Sequence, residues 1–150
     1  PLALATIFDL PHVIPMAREK MREVGLADRF RFASGDFMAD SLPAGADLAW
    51  VSAIVHQNSR IQNRQLFRKV HQALIRGGRI AVRDIFMDAD RTRPVPGALF
   101  AVNMLVATEG GGTYTVEELS EDLESSGFVD TFLARRDAQG MHSVLIARKE

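Results

Sequence analysis

The feature that most constrains the fold is a regular alternation of short apolar runs with segments of helical periodicity. Strand-like runs rich in β-branched and aromatic residues occupy positions 2–8, 30–33, 48–52 and 79–85. Helical periodicity occupies positions 13–24, 58–75 and 96–108. This alternation predicts an α/β domain with a mostly parallel sheet. The run at 2–8 is apolar throughout, which predicts a strand buried on both faces.

The predicted element boundaries follow local signals. Gly25 and the pair Gly77-Gly78 are expected to end the helices before them, and residues 41–47 and 88–96 read as loops. The apolar stripe of the 58–75 helix is expected to consist of Ile61, Leu66, Val70 and Leu74.

In the C-terminal third of the chain, the sequence pattern predicts a helix followed by two strands that are joined directly by a short turn. Thr115 and Glu118 have the spacing of a capping box, so a helix should begin there and end near Gly127. Two strands at 128–134 and 142–147 follow, joined by a turn around Gln139-Gly140. Because the connection is short, this closing pair should be antiparallel.

Composition excludes several classes of protein. The 150 residues carry a net charge of −1, which argues against a nucleic-acid or anionic-membrane partner. There is no cysteine, which excludes disulfides and thiolate metal sites and fits a cytoplasmic location. The most apolar stretch, 98–107, is too short to span a membrane. The four histidines lack the close spacing of metal ligands. We expect one domain over residues 1–150, with no internal boundary.

Polar residues follow consecutive predicted strands, where open α/β sheets bind ligands. Asp9 ends the first strand and could accept hydrogen bonds from ribose hydroxyls, or serve only as a turn former before Pro11. Asp36 could accept from an adenine amino group beside the Phe37 ring. The alternative for that pair is a Gly-Asp turn with a core phenylalanine.

His56 lies just past the third predicted strand, and Asp84 ends the next one. An imidazole suits proton abstraction at neutral pH, and a carboxylate can orient it and stabilise its protonated form. A lone histidine such as His56 more often has a structural role or lies on the surface, and Asp84 could be a turn residue at the end of its strand. Both alternatives stay open on the residues alone.

Four motifs occur together in one order and spacing: FDLPHV at 8–13, GDF at 35–37, SAIVH at 52–56, and NMLVATEGG at 103–111. In this combination the chain resembles the S-adenosylmethionine (SAM)-dependent small-molecule O-methyltransferase family. That family includes plant phenylpropanoid and flavonoid methyltransferases and bacterial antibiotic-tailoring enzymes. The resemblance covers essentially the whole chain. It implies a Rossmann-like class I methyltransferase sheet with an antiparallel C-terminal strand pair.

The resemblance also implies site residues. Asp9 and Leu10 match positions at the cofactor ribose, and Asp36 with Phe37 matches the pair beside the adenine. Ser52 matches a cofactor-contacting position. His56 matches the base that deprotonates the acceptor hydroxyl, with Asp84 as the carboxylate that steers it. The implied acceptor-pocket wall consists of Asn103, Met104 and the turn from Glu109 to Gly111.

The sequence departs from the family pattern in identifiable places. Gln57-Asn58 stands where the family has Asp-Trp, Thr113 where plant members have a carboxylate, and Asp84 where Glu is common. The glycine-rich cofactor loop of the family, and the central strand that precedes it, have no counterpart here. We therefore expect a partial catalytic domain, inactive in isolation, that folds with a complementing segment or as a homodimer.

Three functions follow as hypotheses. The first is methyl transfer from SAM to a hydroxyl of a small aromatic or polyketide-like molecule. The second is a non-methylating family member that acts as a ligand-binding or assembly module. The third is a nicotinamide-dependent Rossmann enzyme, disfavoured by the antiparallel closing pair. The apolar 96–106 segment is expected to be a pocket wall or a plain core helix.

Overall fold

A computed structural model describes residues 3–137 and 142–150 and divides the chain into two units, Pro1–Ala44 and Gly45–Glu150. The first unit contains strand β1 (Ala5–Asp9), helix α1 (Ile14–Glu23), a 3-10 turn (Ala27–Arg29) and strand β2 (Phe30–Ser34). The two strands pair in parallel, as predicted for a β-α-β connection. Gly25, with φ of 70°, follows the helix end in the left-handed conformation that glycine favours.

The prediction of a strand at 2–8 buried on both faces was wrong. Strand β1 begins at Ala5, and its first two residues are exposed while the rest are half-buried. The physical reason is its place in the sheet: within the described part of the unit, β1 has a single neighbour, β2. Leu2 lies outside the described residues.

The second unit holds the remaining elements. They are strand β3 (Ala46–Ser52), a 3-10 turn (Val55–Gln57), helix α2 (Arg60–Ala73), strand β4 (Leu74–Asp84), strand β5 (Phe86–Met87), helix α3 (Val95–Ala107), strand β6 (Tyr114–Thr115), helix α4 (Val116–Glu124), strand β7 (Phe128–Arg135) and strand β8 (Ser143–Lys149). Four strands form a sheet in the order β3-β4-β8-β7, and β5 pairs with β6 separately.

The strand directions confirm the α/β class and the closing pair. β3 and β4 run parallel, whereas β8 is antiparallel to both β4 and β7. The predicted turn at Gln139-Gly140 lies outside the described residues. The capping box predicted at Thr115 and Glu118 is present, with both reciprocal hydrogen bonds. The missing central strand stays a prediction.

Helix α2 ends earlier than predicted. The sequence indicated helix to residue 75 and a stop at Gly77-Gly78, but the backbone is extended from Leu74, where β4 begins. The Lys149 ammonium donates to the carbonyl oxygens of His71 and Leu74, so a residue 75 positions away satisfies the helix end. Similarly, β3 begins at Ala46, inside the predicted 41–47 loop.

One face of the four-stranded sheet is the core of this unit. Ile80, Val82, Leu145 and Ala147 are fully buried beneath α2 and α4. Phe67 from α2 and Leu119 and Leu123 from α4 are equally buried. Of the predicted α2 stripe, Leu66, Val70 and Leu74 are buried, but Ile61 is 69% exposed. Ile61 is in the first turn of α2, on the side that faces away from the sheet.

The opposite face carries an apolar row. Trp50 pairs with Ala81, Ala81 with Ile146, and Ile146 with Phe132, so these side chains project from the same side of the sheet. Trp50 is 57% and Phe132 is 52% exposed. Exposed aromatic residues aligned in this way are typical of a surface that another element covers.

Helix α3 is also largely exposed. Gly97 and Met104 are its buried residues, while Leu99, Val102 and Leu105 are each more than 60% exposed. The expectation of a plain core helix is therefore wrong, because one stripe of α3 packs against the unit and the rest faces outward. Among the described residues, no helix is long and apolar enough to cross a membrane.

His71 makes the folded unit sensitive to acid. It lies in the last turn of α2 with its ring edge-on to Phe128, at 5.0 Å between centroids. Burial lowers the pKa of His71, and the Lys149 charge lowers it further, against a smaller opposing effect of a hydrogen bond with the Gly127 backbone. The folded state therefore resists protonation of this imidazole.

We expect the free energy of unfolding to fall as the pH drops below about 6.5. Below that pH the unfolded chain protonates His71 while the folded chain does not, so the unfolded state binds more protons and is favoured. Urea unfolding between about pH 7.5 and pH 5 measures this slope. His71→Gln should flatten it, and His12→Gln, at an exposed position, should not. Equal slopes in all three proteins would contradict the assignment.

Candidate active site

The candidate site begins in the short connection between β3 and α2. Ala53 has a φ of 55°, a conformation that non-glycine residues adopt at a cost, and its N–H donates to the Arg83 carbonyl at 2.9 Å. The chain then forms the 3-10 turn Val55–Gln57, in which Val55 and His56 are both buried. We call residues 53–58 the His56 turn. Its bend directs the imidazole into the second unit.

His56 contacts Asp84, as the order of their strands led us to expect. The imidazole Nδ1 lies 2.9 Å from each carboxylate oxygen of Asp84. Asp84 Oδ1 also accepts from the N–H of Ile85 at 2.8 Å, and the carboxylate is 1% exposed. Because an ionised carboxylate only accepts, Nδ1 must carry the proton, and the neutral ring presents Nε2 as an acceptor.

An aromatic residue from α3 completes the surroundings of the imidazole. The Phe100 ring lies 4.8 Å from the His56 ring, centroid to centroid, at an interplanar angle of 78°. This edge-on contact orients the imidazole and removes water from part of its surface. Sequence reasoning missed Phe100, although it lies three residues from Gly97 and four from Met104, on the buried stripe of α3.

The glycine-rich turn after α3 packs on the backbone of His56. The Gly112 N–H donates to the His56 carbonyl oxygen at 2.9 Å. A Cβ added to Gly111 would overlap that same oxygen, so this approach requires glycine. Thr108 Oγ1 accepts from the Gly111 N–H at 2.8 Å and donates to the Met104 carbonyl. The predicted pocket-wall turn thus supports the His56 turn directly.

The other predicted residues of the second unit lie in different environments. Ser52 Oγ accepts from the Arg83 guanidinium at 2.8 Å, and Arg83 also donates to His142 Nδ1. Met104 is buried, whereas Asn103 and Glu109 are exposed. Arg83 and His142 had no predicted role, and nothing in the local sequence pattern marks them.

The predicted cofactor residues of the first unit lie at the ends of its two strands. Asp9 ends β1, and its Oδ1 accepts from the Leu10 N–H at 2.8 Å. Asp36 follows β2 and accepts from the Met38 N–H at 2.8 Å, which is the turn geometry left open above. Phe37 is half-buried. Gly35 approaches Phe8 so closely that a Cβ would lie 2.6 Å from its ring.

No metal site is evident in residues 3–137 and 142–150, where no three histidine or carboxylate side chains gather in a way that could hold an ion. The second unit also holds the buried contact between the His56 imidazole and the Asp84 carboxylate, an arrangement of the kind used in proton transfer.

Comparison with known proteins relates this geometry to a family. Residues 1–129 match the family model described as the O-methyltransferase domain. The chain is 35% identical over 144 residues to 3-hydroxy-5-methyl-1-naphthoate 3-O-methyltransferase of Streptomyces sahachiroi, covering 96% of this chain and 41% of that protein. It is 37% identical over 145 residues to the tetracenomycin polyketide synthesis 8-O-methyl transferase TcmO of Streptomyces glaucescens, covering 97% and 42%.

A solved structure of a methyltransferase shows the same similarity at the level of the fold. Human N-acetylserotonin methyltransferase in complex with SAM superposes with a TM-score of 0.83 at 29% identity, over 96% of this chain and 40% of that one. The chain thus spans about two fifths of the length of these relatives. With most of its residues matched by the family model and its strand directions and helix order consistent with it, the chain belongs to the O-methyltransferase domain family.

Proposed function

We propose that the protein containing this chain transfers a methyl group from SAM to a hydroxyl of a small aromatic or polyketide-like molecule. Residues 1–150 would form part of its catalytic domain. The observation that carries the proposal is the buried contact between His56 Nδ1 and both oxygens of Asp84. This contact supports His56 Nε2 as the proton acceptor, shortly after the end of β3, at the edge where α/β sheets bind ligands.

In this mechanism the chain contributes proton transfer and positioning. SAM, when bound, supplies a methyl group that its sulfonium charge already activates. His56 Nε2 accepts the proton of the acceptor hydroxyl as the oxygen becomes nucleophilic. The Asp84 carboxylate, held by the Ile85 N–H, offsets the positive charge that develops on the imidazole. Phe100 keeps water from one edge of the ring.

The residues present fit a cofactor with hydroxyl and amino donors. One Asp9 oxygen accepts from Leu10, but a carboxylate has about four acceptor sites, so Asp9 can also accept from ribose hydroxyls. By the same reasoning, Asp36 can accept from the adenine amino group while it holds its own turn. Ser52 accepts from Arg83 and retains its hydroxyl proton for a cofactor acceptor atom. We also assign Leu10 and Phe37 to cofactor contacts.

The acceptor class comes from the relatives. One is named as a 3-O-methyltransferase of a hydroxynaphthoate, and another as an 8-O-methyl transferase of tetracenomycin polyketide synthesis. Asn103, Met104 and Glu109 are proposed to line the acceptor pocket. The exposed apolar side chains of α3 suit the flat carbon skeleton of such a molecule better than a charged one.

We further propose that the apolar row at Trp50 and Phe132 is covered in the working protein, by a complementing segment or by a second copy in a homodimer. More than half of each ring is exposed, and the row crosses all four strands. Light scattering of the 150-residue chain tests this. A monomer that stays folded and unassociated at every concentration would count against it. A cytoplasmic location is part of the same proposal.

The function is tested on the full-length protein with SAM and 3-hydroxy-5-methyl-1-naphthoate. We expect S-adenosylhomocysteine to form with this acceptor and not with 5-methyl-1-naphthoate, which lacks the hydroxyl. Asp9→Ala should weaken SAM binding by calorimetry about 10- to 100-fold, because it removes charge-assisted hydrogen bonds. Asp28→Ala, an exposed carboxylate in the same unit, is the matched control.

Two results would redirect the assignment. SAM binding without turnover on any hydroxylated aromatic acceptor would favour the ligand-binding or assembly module, for which the Gln57-Asn58 departure is the motivation. Absence of SAM binding to the full-length protein would overturn the proposed function altogether.

A further inference from the structure

The backbone of the His56 turn is held by one bond to β4, from the Ala53 N–H to Arg83 O, and by two 3-10 bonds within the turn. Its position therefore also depends on the outside groups that bind its carbonyl oxygens. Three of them accept from groups outside the turn. Val55 O accepts from the Asn63 side chain, His56 O from the Gly112 N–H, and Asn58 O from the Tyr114 hydroxyl. These three donors therefore help to hold the segment that carries the imidazole.

Asn63 is the most enclosed of these donors. It is fully buried in the first turns of α2, where its Nδ2 donates to Val55 O at 3.0 Å. Its Oδ1 accepts from Asn58 Nδ2 at 3.2 Å. The carboxamide therefore links one residue on each side of His56, and both of its ends are paired.

The orientation of the Asn63 amide is dictated by chemistry. A backbone carbonyl cannot donate, so Nδ2 must face Val55 and Oδ1 must face Asn58. Asn58 in turn can satisfy Oδ1 only with its own Nδ2. The two amides form a chain of fixed direction, in which neither can be reversed without an unpaired buried group.

The start of helix α2, which carries Asn63, is itself held in place by hydrogen bonds. The capping box of Ser59 and Gln62 closes the start of α2 one turn away. Arg60 connects that same turn to α4, by donating to the carboxylate of Asp122 and to the Glu118 carbonyl. On the other side of the His56 turn, burial raises the pKa of the Tyr114 phenol, so its hydroxyl stays a donor.

We propose that Asn63, acting with Asn58, is a positioning residue that holds the His56 turn so that the imidazole stays on Asp84. Asn58 stands at the tryptophan of the family's Asp-Trp pair, and its buried side-chain amide donates to Asn63. The consequence for catalysis rests on the proposed function, whereas the consequence for His56 itself does not.

The test is nuclear magnetic resonance of the histidine side chains in the full-length protein. The hydrogen-bonded Nδ1–H of His56 should give a slowly exchanging proton signal, assigned by its loss in His56→Ala. Asn63→Leu keeps the volume but removes the donor. We expect it to speed exchange of that proton at least about tenfold, because Val55 O loses its side-chain donor and Asn58 Nδ2 loses its acceptor. Gln72→Leu, an exposed amide on the same helix, should leave the signal unchanged.

Enzyme kinetics give the second readout. Asn63→Leu should lower kcat about tenfold, with the SAM dissociation constant unchanged. If Asn63→Leu does not fold, Asn63→Asp, which keeps the shape and replaces the donor by an acceptor, takes its place. A folded variant with the wild-type His56 signal overturns the positioning role. Altered exchange in a protein that never methylates keeps the positioning role and rejects only the proposed function.

Discussion

Replacing His56 with alanine in the full-length protein should lower kcat for methyl transfer by about 10²- to 10⁴-fold. The acceptor hydroxyl then has no proton acceptor at the end of β3, while the predicted contacts to SAM are untouched. We therefore expect the SAM dissociation constant, measured by calorimetry, to stay within about twofold of wild type. Loss of SAM binding in parallel with kcat would show that His56 has a structural role.

Varying the acidity of the acceptor hydroxyl distinguishes a general-base role of His56 from a structural role. An acceptor whose hydroxyl is already ionised at the assay pH needs no proton removal, so the His56→Ala defect should largely disappear with it. A nitro-substituted hydroxynaphthoate serves as this probe. Asp84→Asn should show the same acceptor dependence with a smaller loss, about 10- to 100-fold, because the amide oxygen still orients Nδ1–H but carries no charge. An equal loss on both acceptors would contradict the general-base role.

Replacing Asp122 with leucine should lower the free energy of unfolding by about 3 kcal/mol. Asp122 is fully buried and accepts from Arg60 at 2.8 Å and from Arg64 at 2.6 Å. Without it the two guanidinium groups lose their shared partner. Because both arginines are partly exposed and can turn toward solvent, we place the loss at the lower end of the range for buried ion pairs.

Glu121 provides the matched control. It precedes Asp122 on α4 and also pairs with Arg60, but its side chain is 68% exposed. Glu121→Leu should therefore cost less than about 1 kcal/mol in the same urea titration. Adding Arg60→Met and Arg64→Met to Asp122→Leu should recover much of the loss, since the two partly buried guanidinium groups that lost their shared partner are then replaced by apolar side chains. Equal losses for the two single variants would contradict this account of the α2–α4 contact.

Sequence pattern alone was sufficient for the elements whose signals are local. Apolar periodicity predicted α1 and α3, and the Thr115–Glu118 spacing predicted the start of α4. The alternation of strands with helices predicted a mostly parallel sheet, and β3 and β4 do run parallel. The motifs at 8–13, 35–37, 52–56 and 103–111 indicated the family that the comparisons show. These features depend on neighbouring residues, or on strand order, and need no knowledge of distant contacts.

The features that depend on contacts between residues far apart in the sequence could be seen only in the tertiary structure. Helix α2 ends at Ala73, where Leu74 pairs with Ala46 of β3 and Lys149, far along the chain, donates to the carbonyl oxygens of His71 and Leu74. Phe100 and Gly111 reach His56 only because α3 and its following turn fold back onto that segment. The burial of Asn63 is the clearest case. A polar residue early in a helix reads as a surface position, and only the packed structure shows its amide paired at both ends beneath the His56 turn.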